Sequence, residues 1–406
     1  MQRKSRKNVL FLGGPYMFQF YRHITMLARA RNWCLQLDER YNPPRNWSGD
    51  GVLSMHLDVP AMNSFMDDVL ARGIPVVDLL DVTGRTDIGR VATDERALGK
   101  AAAVHFHDRG FSHAAFFAME WTHLHQRRYE AFATAFRGTS LEKWSWASEG
   151  GGTEGGDACA EWATAKIVDA PKPVAVLTFN AYNAFFLSTV CKNAGIDIPQ
   201  EVAILAGWDN EIYNQHQDLP ISGIAHDDKS ICKKATDLLQ RMMDGKCTRP
   251  TAVRVPPLGI AVRRSTDATA VADPTLRKAL ALVSSNIAKP FGPSQIAESL
   301  GISLARLNAI SQKELGGPML GEIVRQRINE AKRLMKETDE KLSTIARLAG
   351  FCNASYFCKT FRAATGLTPH AWRRGRPSLY HSPSFALNSS RVPLDHSPTR
   401  SVKSST

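Results

Sequence analysis

From Val9 to about Ser265 the chain alternates short apolar segments with amphipathic helical ones, and this alternation limits the possible folds more than any other feature. VLFL (9–12), VAVLTF (174–179) and VAILAGWD (202–209) are typical of the apolar segments. Strands that are apolar throughout and separated by helices predict parallel sheets covered on both faces. About nine such strands exceed what one sheet comfortably holds. The pattern therefore predicts an α/β fold of two doubly wound lobes with a cleft between them.

After residue 265 the signals are helical only. The predicted domains are the two-lobed part over residues 1–265, a small polar linker over 266–274 and an all-α module over 275–376. Residues 377–406 are rich in Ser and Pro and poor in apolar residues, so we expect a disordered tail there.

The helical module contains the same pattern twice. PSQIAESL (293–300) predicts a short helix, Gly301 a tight turn, and Ser303 the N-cap of a second helix, which is helix–turn–helix geometry. LSTIARLA (342–349), the Gly350 turn and a helix from Asn353 repeat the pattern 50 residues later. The helix between the units is ~27 Å long at 1.5 Å per residue. Successive major grooves lie ~34 Å apart, so one chain can place two helices in them.

Most of the positive charge lies in this module. The chain has a formal net charge of +12, and residues 275–376 hold 17 Lys and Arg against 7 Asp and Glu. Such a concentration favours nucleic acid as the partner, although a solvated basic surface remains the alternative. Charges interrupt every apolar run, so we expect no membrane span and no membrane partner. The seven cysteines form no Cys-x-x-Cys pair, which favours reduced thiols and a cytoplasmic location.

Residues at fixed spacings in the helical module indicate a particular family of proteins. It resembles the AraC/XylS family of transcription regulators over about residues 275–376. The matching residues are Lys332-Arg333-Leu334, Ile345-Ala346, Gly350-Phe351, Tyr356-Phe357, Phe361, Gly366, Thr368-Pro369 and Trp372-Arg373. This resemblance implies sequence-specific binding to double-stranded DNA.

Positions in the two repeats indicate the DNA contacts. The candidates for base contact are Arg306 and Asn308 in the first unit and Asn353, Ser355 and Lys359 in the second, with Ser303 as the cap of the first recognition helix. Arg362 and Arg373, with Arg374, are candidates for phosphate contact. For each residue a solvated surface side chain is the alternative. Ser311 stands where the family usually has an aromatic residue, and its helix has few cations, so the first unit is predicted to be the weaker DNA reader.

Segments in the two-lobed part resemble the periplasmic-binding-protein fold of LacI-type sensors. The matching segments are VATDERALGKAAAVHFHDRGF (91–111), Arg128-Tyr129-Glu130-Ala131-Phe132, and Ala194-Gly195-Ile196 through VAILAGWDNE (202–211). A LacI-type sensor ahead of an AraC-type module is similar to the pentose-responsive regulators of bacterial sugar operons. The resemblance implies a xylose-like effector and activation of carbohydrate catabolic genes.

The chemistry of sugar binding selects the cleft candidates. Carboxylates, amides and Arg bond hydroxyls, and aromatic rings cover the apolar sugar face. The candidates are Asp209, Arg128, Asn180, Tyr16 and Phe18. The alternatives are a helix cap for Asp209, an ion pair for Arg128 and lobe packing for the two aromatics. Ala181 stands where LacI-type sensors usually carry Asp, so one hydroxyl contact is missing or supplied elsewhere.

The leading interpretation is a sugar-responsive DNA-binding regulator, a homodimer that contacts RNA polymerase if it activates. One alternative makes the two-lobed part a ligand-free dimerisation domain, and another makes it an enzyme acting on a sugar. No acid/base or nucleophile motif supports the enzyme. No cofactor is expected. No metal site is expected either, although His123-x-His125, predicted in a loop, has a chelating spacing.

Overall fold

The computed structural model describes residues 6–374, apart from residues 15–16, 39–42, 45, 56–59, 150–155, 211–213, 215–218, 248, 268–269, 272 and 290. The predicted disordered tail lies outside the described residues. Within the described residues the chain forms two six-stranded sheets with flanking helices, followed by a helical module. The predicted fold class is confirmed.

The first lobe is a parallel sheet in the order β11-β5-β4-β3-β1-β2. Every residue of β3, β4 and β5 is buried, as expected for central strands covered on both faces. Separate apolar clusters cover the two faces. The strands are β1 (Asn8–Leu12), β2 (Cys34–Asp38), β3 (Gly51–Ser54), β4 (Val76–Asp78), β5 (Gly89–Thr93) and β11 (Ala252–Val255). The helices are α1 (Phe18–Ala30), α2 (Pro60–Ala71) and α7 (Asp228–Met243).

The second lobe has the order β12-β10-β9-β8-β6-β7, parallel except for β12. Its strands are β6 (His113–Ala118), β7 (Ser140–Ser145), β8 (Val174–Thr178), β9 (Val202–Ala206), β10 (Ser222–Ala225) and β12 (Gly259–Ala261). Its helices are α3 (Glu95–His107), α4 (His123–Ala135), α5 (Asp157–Asp169) and α6 (Ala181–Asn193). The chain crosses between the lobes three times, after β5, β10 and β11. The carboxyl ends of the strands therefore lead into the crossings and the cleft.

The apolar pattern did not predict three of the described strands, namely β5, β7 and β12, and each has a physical reason. β7 and β12 are edge strands, which can form without the apolar sequence of a central strand. β7 has the polar sequence SLEKWS, and β12 has only three residues. β5 is central but contains Arg90, whose charge breaks the apolar pattern. That guanidinium is buried because it pairs with Asp78 and Asp81 beside the strand.

The helical module is two units joined by one long helix. The helices are α8 (Pro274–Ser285), α9 (Pro293–Ser299), α10 (Leu304–Leu315), α11 (Met319–Glu337), α12 (Leu342–Leu348), α13 (Ala354–Thr365) and α14 (Pro369–Arg374). Each unit has its own apolar core, and α11 contributes to both. Ser303 caps α10 and Asn353 caps α13, and both helices end at a left-handed glycine, Gly316 and Gly366. The two recognition helices therefore share the same kind of cap at the start and the same kind of glycine at the end, as the predicted repeat requires.

Gly350 fixes how closely the two units approach. Its φ of +79° lies in the left-handed region that favours glycine, and a Cβ there would come within 1.9 Å of the Ile287 carbonyl oxygen. The turn of the second unit thus lies directly against the backbone of the first. The domain boundaries at 265 and 275 stay predictions. Thr266 is buried beside His105 of α3, whereas Asp267 bonds Arg325 and Asn329 of α11.

Candidate nucleic-acid interface and ligand cleft

The exposed face of α13 has the charge that DNA contact needs. Ser355, Lys359 and Arg362 are exposed and spaced i, i+4 and i+7, so they lie on one side of the helix. Phe357 and Phe361, on the opposite side, are fully buried in the core of the second unit. The helix therefore presents one polar, partly cationic stripe to solvent.

The equivalent stripe of α10 has no charge. The residues 50 positions before Ser355, Lys359 and Arg362 are Ala305, Ala309 and Gln312. All three are exposed. Arg306 is exposed beside them at the position equivalent to Tyr356. Ser311 is completely buried, and its hydroxyl donates to the Gly317 carbonyl at 2.7 Å, so a small polar residue fits where the family has an aromatic. The two recognition helices share a scaffold and differ in their exposed chemistry.

Four of the remaining candidates for DNA contact form side-chain hydrogen bonds within the protein. The Ser303 hydroxyl accepts from the Arg306 amide, and Asn353 Oδ1 accepts from the Tyr356 amide at 2.8 Å, so both side chains cap helices. Asn308 Oδ1 accepts from the Met319 amide at 3.2 Å, which ties α10 to α11. Arg373 donates to the Glu340 carbonyl at 2.8 Å. Their predicted DNA contacts stay predictions, and a bidentate contact from Asn353 would need the oxygen that caps α13.

In the cleft, Asp209 follows β9 and forms a two-pronged ion pair with Arg263. The Nη1–Oδ1 and Nη2–Oδ2 distances are 2.7 and 2.9 Å, and both side chains are about nine-tenths buried. The same guanidinium donates to the Ile221 carbonyl. A ligand hydroxyl that bonds Asp209 would therefore share this carboxylate with Arg263.

Arg128 is buried in α4 and pairs with Glu95 at the start of α3. Its Nε and Nη2 donate to the two Glu95 carboxylate oxygens at 2.7 and 2.9 Å, and Nη1 donates to the Phe179 carbonyl. The Phe179 ring also lies 4.6 Å from the guanidinium carbon. Only 1% of the Arg128 side chain is exposed. The ion pair, which was the alternative role for Arg128, is thus present in the structure. The predicted contact between Arg128 and a ligand stays a prediction.

The remaining cleft candidates are dispersed. Asn180 caps α6 through a bond from the Asn183 amide to its Oδ1. Phe18, at the start of α1, is 61% exposed. Tyr16 lies outside the described residues. The structure therefore joins Asp209 and Arg128 to fixed partners and leaves the ring of Phe18 in solvent.

Sequence reasoning missed the charge cluster around Asp81, which joins the lobes. This aspartate follows β4, has a φ of +67° and is completely buried. Arg90 and Arg254 of the first lobe pair with it at 2.9 and 2.6 Å, and Arg127 of α4 in the second lobe pairs with it as well. The available signal was the DLLD segment (78–81), which begins at the last residue of the apolar strand β4.

An aromatic cluster that includes a contact across the cleft was also missed. Trp208, next to Asp209, stacks on His226 with ring centres 4.3 Å apart and touches Phe20 of the first lobe. His226 Nδ1 lies 2.8 Å from the Thr93 hydroxyl, at the first crossing between the lobes. Burial, reinforced by Arg128, lowers the pKa of His226 to about 3, so the ring is neutral at pH 7.

The predicted loop around His123 and His125 is wrong, because both residues lie in the first turn of α4. His125 bonds Thr122 at the start of this helix and stacks on Phe179 at 3.7 Å. Burial lowers its pKa to about 3. Among the described residues no three His, Cys, Asp or Glu side chains are grouped as metal ligands would be. No described helix has the length and apolarity that crossing a membrane requires.

Comparison with known proteins agrees with this geometry. A model of the periplasmic binding protein-like domain matches residues 103–266, and a helix–turn–helix domain model matches residues 296–375. The fold and these two matches define a transcription regulator with a periplasmic-binding-like domain ahead of an AraC-type helix–turn–helix domain.

Two similar proteins match nearly the whole chain, and a third matches about a quarter of it. The xylose operon regulatory protein of Escherichia coli (strain K12) is 22% identical over 375 residues, which cover 85% of this chain and 90% of that protein. The structure of a xylose-binding transcription activator covers 91% of this chain and 98% of its own, with a TM-score of 0.73 and 19% identity. The arabinose operon regulatory protein of Escherichia coli (strain K12) is 31% identical over 104 residues, 25% of this chain.

Proposed function

We propose that this protein regulates transcription in response to a sugar, with a xylose-like pentose bound between the lobes and operator DNA bound by the two recognition helices. The observation that supports this most directly is a chain of contacts from the cleft to the DNA-binding module. Asp209 pairs with Arg263, its neighbour Arg264 donates to Ser284 of α8, and Asp267 pairs with Arg325 of α11. The named relatives supply the sugar class.

In this mechanism the ligand acts by competing for Asp209. A bound hydroxyl takes part of the carboxylate's hydrogen-bonding capacity, which loosens Arg263 and shifts the segment that joins the second lobe to α8 and α11. The ligand can shift this equilibrium only by its difference in affinity for the two arrangements. Closure of the lobes through Trp208 and the Asp81 cluster supplies that difference, because both groups contact residues of the opposite lobe.

The first test is thermal unfolding of the full chain with xylose, arabinose, ribose and glucose. A pentose at 100 times its Kd should stabilise the folded state by ~2.7 kcal/mol, an easily measured rise in Tm. Asp209→Asn should remove most of the rise. Asp169→Asn, at the exposed end of α5, should keep it. A rise that survives Asp209→Asn would contradict the assigned contact.

Two further measurements separate the alternatives. If no sugar changes Tm and sedimentation shows a dimer, a ligand-free dimerisation domain is the better explanation. If mass spectrometry finds a product after incubation with a sugar, the cleft is an enzyme site. We propose a homodimer in either regulatory case, a cytoplasmic location because the target is operator DNA, and contact with RNA polymerase if the protein activates.

The two recognition helices should contribute unequally to DNA affinity. A duplex selected from a random pool would serve as the operator, with binding followed by fluorescence anisotropy at fixed salt. Lys359→Ala should weaken binding about tenfold, whereas Arg306→Ala should weaken it about threefold or less, because Lys359 and Arg362 lie one turn apart on α13 while the exposed cations of α10, Arg306 and Lys313, lie two turns apart. Lys100→Ala, exposed on α3, is the control. Equal losses at Lys359 and Arg306 would contradict the asymmetry.

A further inference from the structure

A cavity of about 400 Å³ lies between the second lobe and the DNA-binding module. Arg109, at the end of α3, and Arg263 and Arg264, after β12, line it from the lobe. Arg325, Lys332 and Arg333 of α11 line it from the module. Its size is in the range of small-molecule sites. It is separate from the proposed sugar contacts, except that Arg263 borders both.

The wall of this cavity is strongly cationic. Among the described residues that line it, six are Lys or Arg, and Asp267 and Glu330 are the acidic ones. Three carboxylates lie just outside the cavity: Asp209 and Glu322 pair with Arg263 and Arg325, and Asp108 interacts electrostatically with Arg109. Counting them still leaves an excess of one positive charge. An anionic ligand would therefore balance the site.

Hydrogen bonds to protein groups hold the cationic side chains of Arg109 and Arg325 in place. Arg109 Nε donates to the Thr266 carbonyl at 2.8 Å and Nη1 to the His105 carbonyl at 3.1 Å. Glu322 fixes Arg325 through two bonds of 2.6 and 2.7 Å. Burial lowers the pKa of Arg109, Asp267 opposes this, and Arg325 lowers it further. An anion between Arg109 and Arg325 would relieve their repulsion.

We propose that this cavity binds a small phosphate monoester, which links the second lobe to α11. A phosphate monoester carries nearly two negative charges at pH 7, and the forked guanidinium groups match its oxygens. A cavity of this volume also leaves room for an organic group beyond the phosphate. By joining Arg109 to Lys332 the ligand would fix the orientation of the helix–turn–helix units. That regulatory consequence rests on the proposed function, whereas the binding itself does not.

The test is isothermal titration of the full chain with glycerol 3-phosphate, with glycerol and succinate as matched compounds lacking the phosphate. We expect saturable binding of glycerol 3-phosphate and a weaker response to inorganic phosphate. Lys332→Gln and Arg109→Gln should each raise Kd about tenfold, the loss of one charge-assisted contact. Lys100→Gln and Lys359→Gln should leave Kd unchanged, because they lie on the exposed faces of α3 and α13. Circular dichroism would confirm that the variants are folded.

Each outcome decides the proposal. Loss of affinity in both cavity variants, with no loss in the two controls, supports it. No binding, unchanged affinity in both cavity variants, or equal binding of succinate overturns it. A loss confined to Lys359→Gln also overturns it, because the phosphate would then occupy the DNA-binding face. Pentose binding that depends on Asp209 tests the proposed function separately, so the two can fail independently.

Discussion

Replacing Arg128 with Met lowers the free energy of unfolding by about 3–5 kcal/mol, the expected effect of removing one partner of a buried ion pair. The variant leaves the Glu95 carboxylate, about 5% exposed, without its guanidinium, and leaves the Phe179 carbonyl without its donor. Urea unfolding of the full chain, followed by circular dichroism, measures the change.

Two variants make this prediction specific. Glu95→Gln combined with Arg128→Met should regain a large part of the stability, because no buried charge then remains unpaired. Arg96→Met, an exposed arginine on the same helix as Glu95, should change stability by about 0.5 kcal/mol or less. A loss at Arg128 no larger than the loss at Arg96 would mean that the pair contributes little. If Arg128 also contacts sugar, pentose affinity should fall beyond what the stability loss explains.

The stability difference between the wild type and His226→Gln should shrink as the pH falls. Burial lowers the pKa of His226 to about 3, against an ordinary value of 6.5. Between these values the unfolded chain takes up the proton and the folded chain does not, so His226 destabilises the folded state increasingly as pH decreases. The expected contribution at pH 5 is about 2 kcal/mol relative to pH 7.

Glutamine takes up no proton, so His226→Gln lacks this contribution at every pH. The variant loses the stacking on Trp208 and should be less stable than the wild type at pH 7, with the gap narrowing toward pH 5. Val104→Gln, exposed on α3, removes no titratable group and should keep a constant difference from the wild type. Urea unfolding at pH 7, 6 and 5 measures both differences. A gap for His226→Gln that stays constant would show that the ring titrates near its ordinary pKa.

Nine of the twelve described strands in the two lobes were predictable, because most buried parallel strands are apolar throughout. The helix–turn–helix repeat was predictable because Ser303, Asn353 and the turn glycines mark helix ends. The strand containing Arg90 was not predictable, since its burial depends on Asp78 and Asp81, which reach it only in the folded sheet. Local sequence does not identify such partners.

The cleft was predictable only in part for a related reason. Asp209 was selected from its place after a strand, but its partner Arg263 lies 54 residues later and only the fold brings them together. Arg128 was selected as a ligand contact, and the structure shows that each of its three guanidinium nitrogens already has a protein partner. Trp208 and His226 are separated by β10, so no spacing rule indicated their stacking.

The contact at Gly350 has a consequence for the DNA. The two recognition helices are separated by the 19-residue α11, which is ~28.5 Å long at 1.5 Å per residue, whereas successive major grooves of straight DNA lie ~34 Å apart. The close backbone contact at Ile287 prevents the units from moving closer, and the continuous α11 resists their separation. We therefore expect the duplex to accommodate any mismatch in spacing by bending toward the protein. Affinity should therefore depend on the flexibility of the base steps between the two contacted grooves, including bases that no side chain touches.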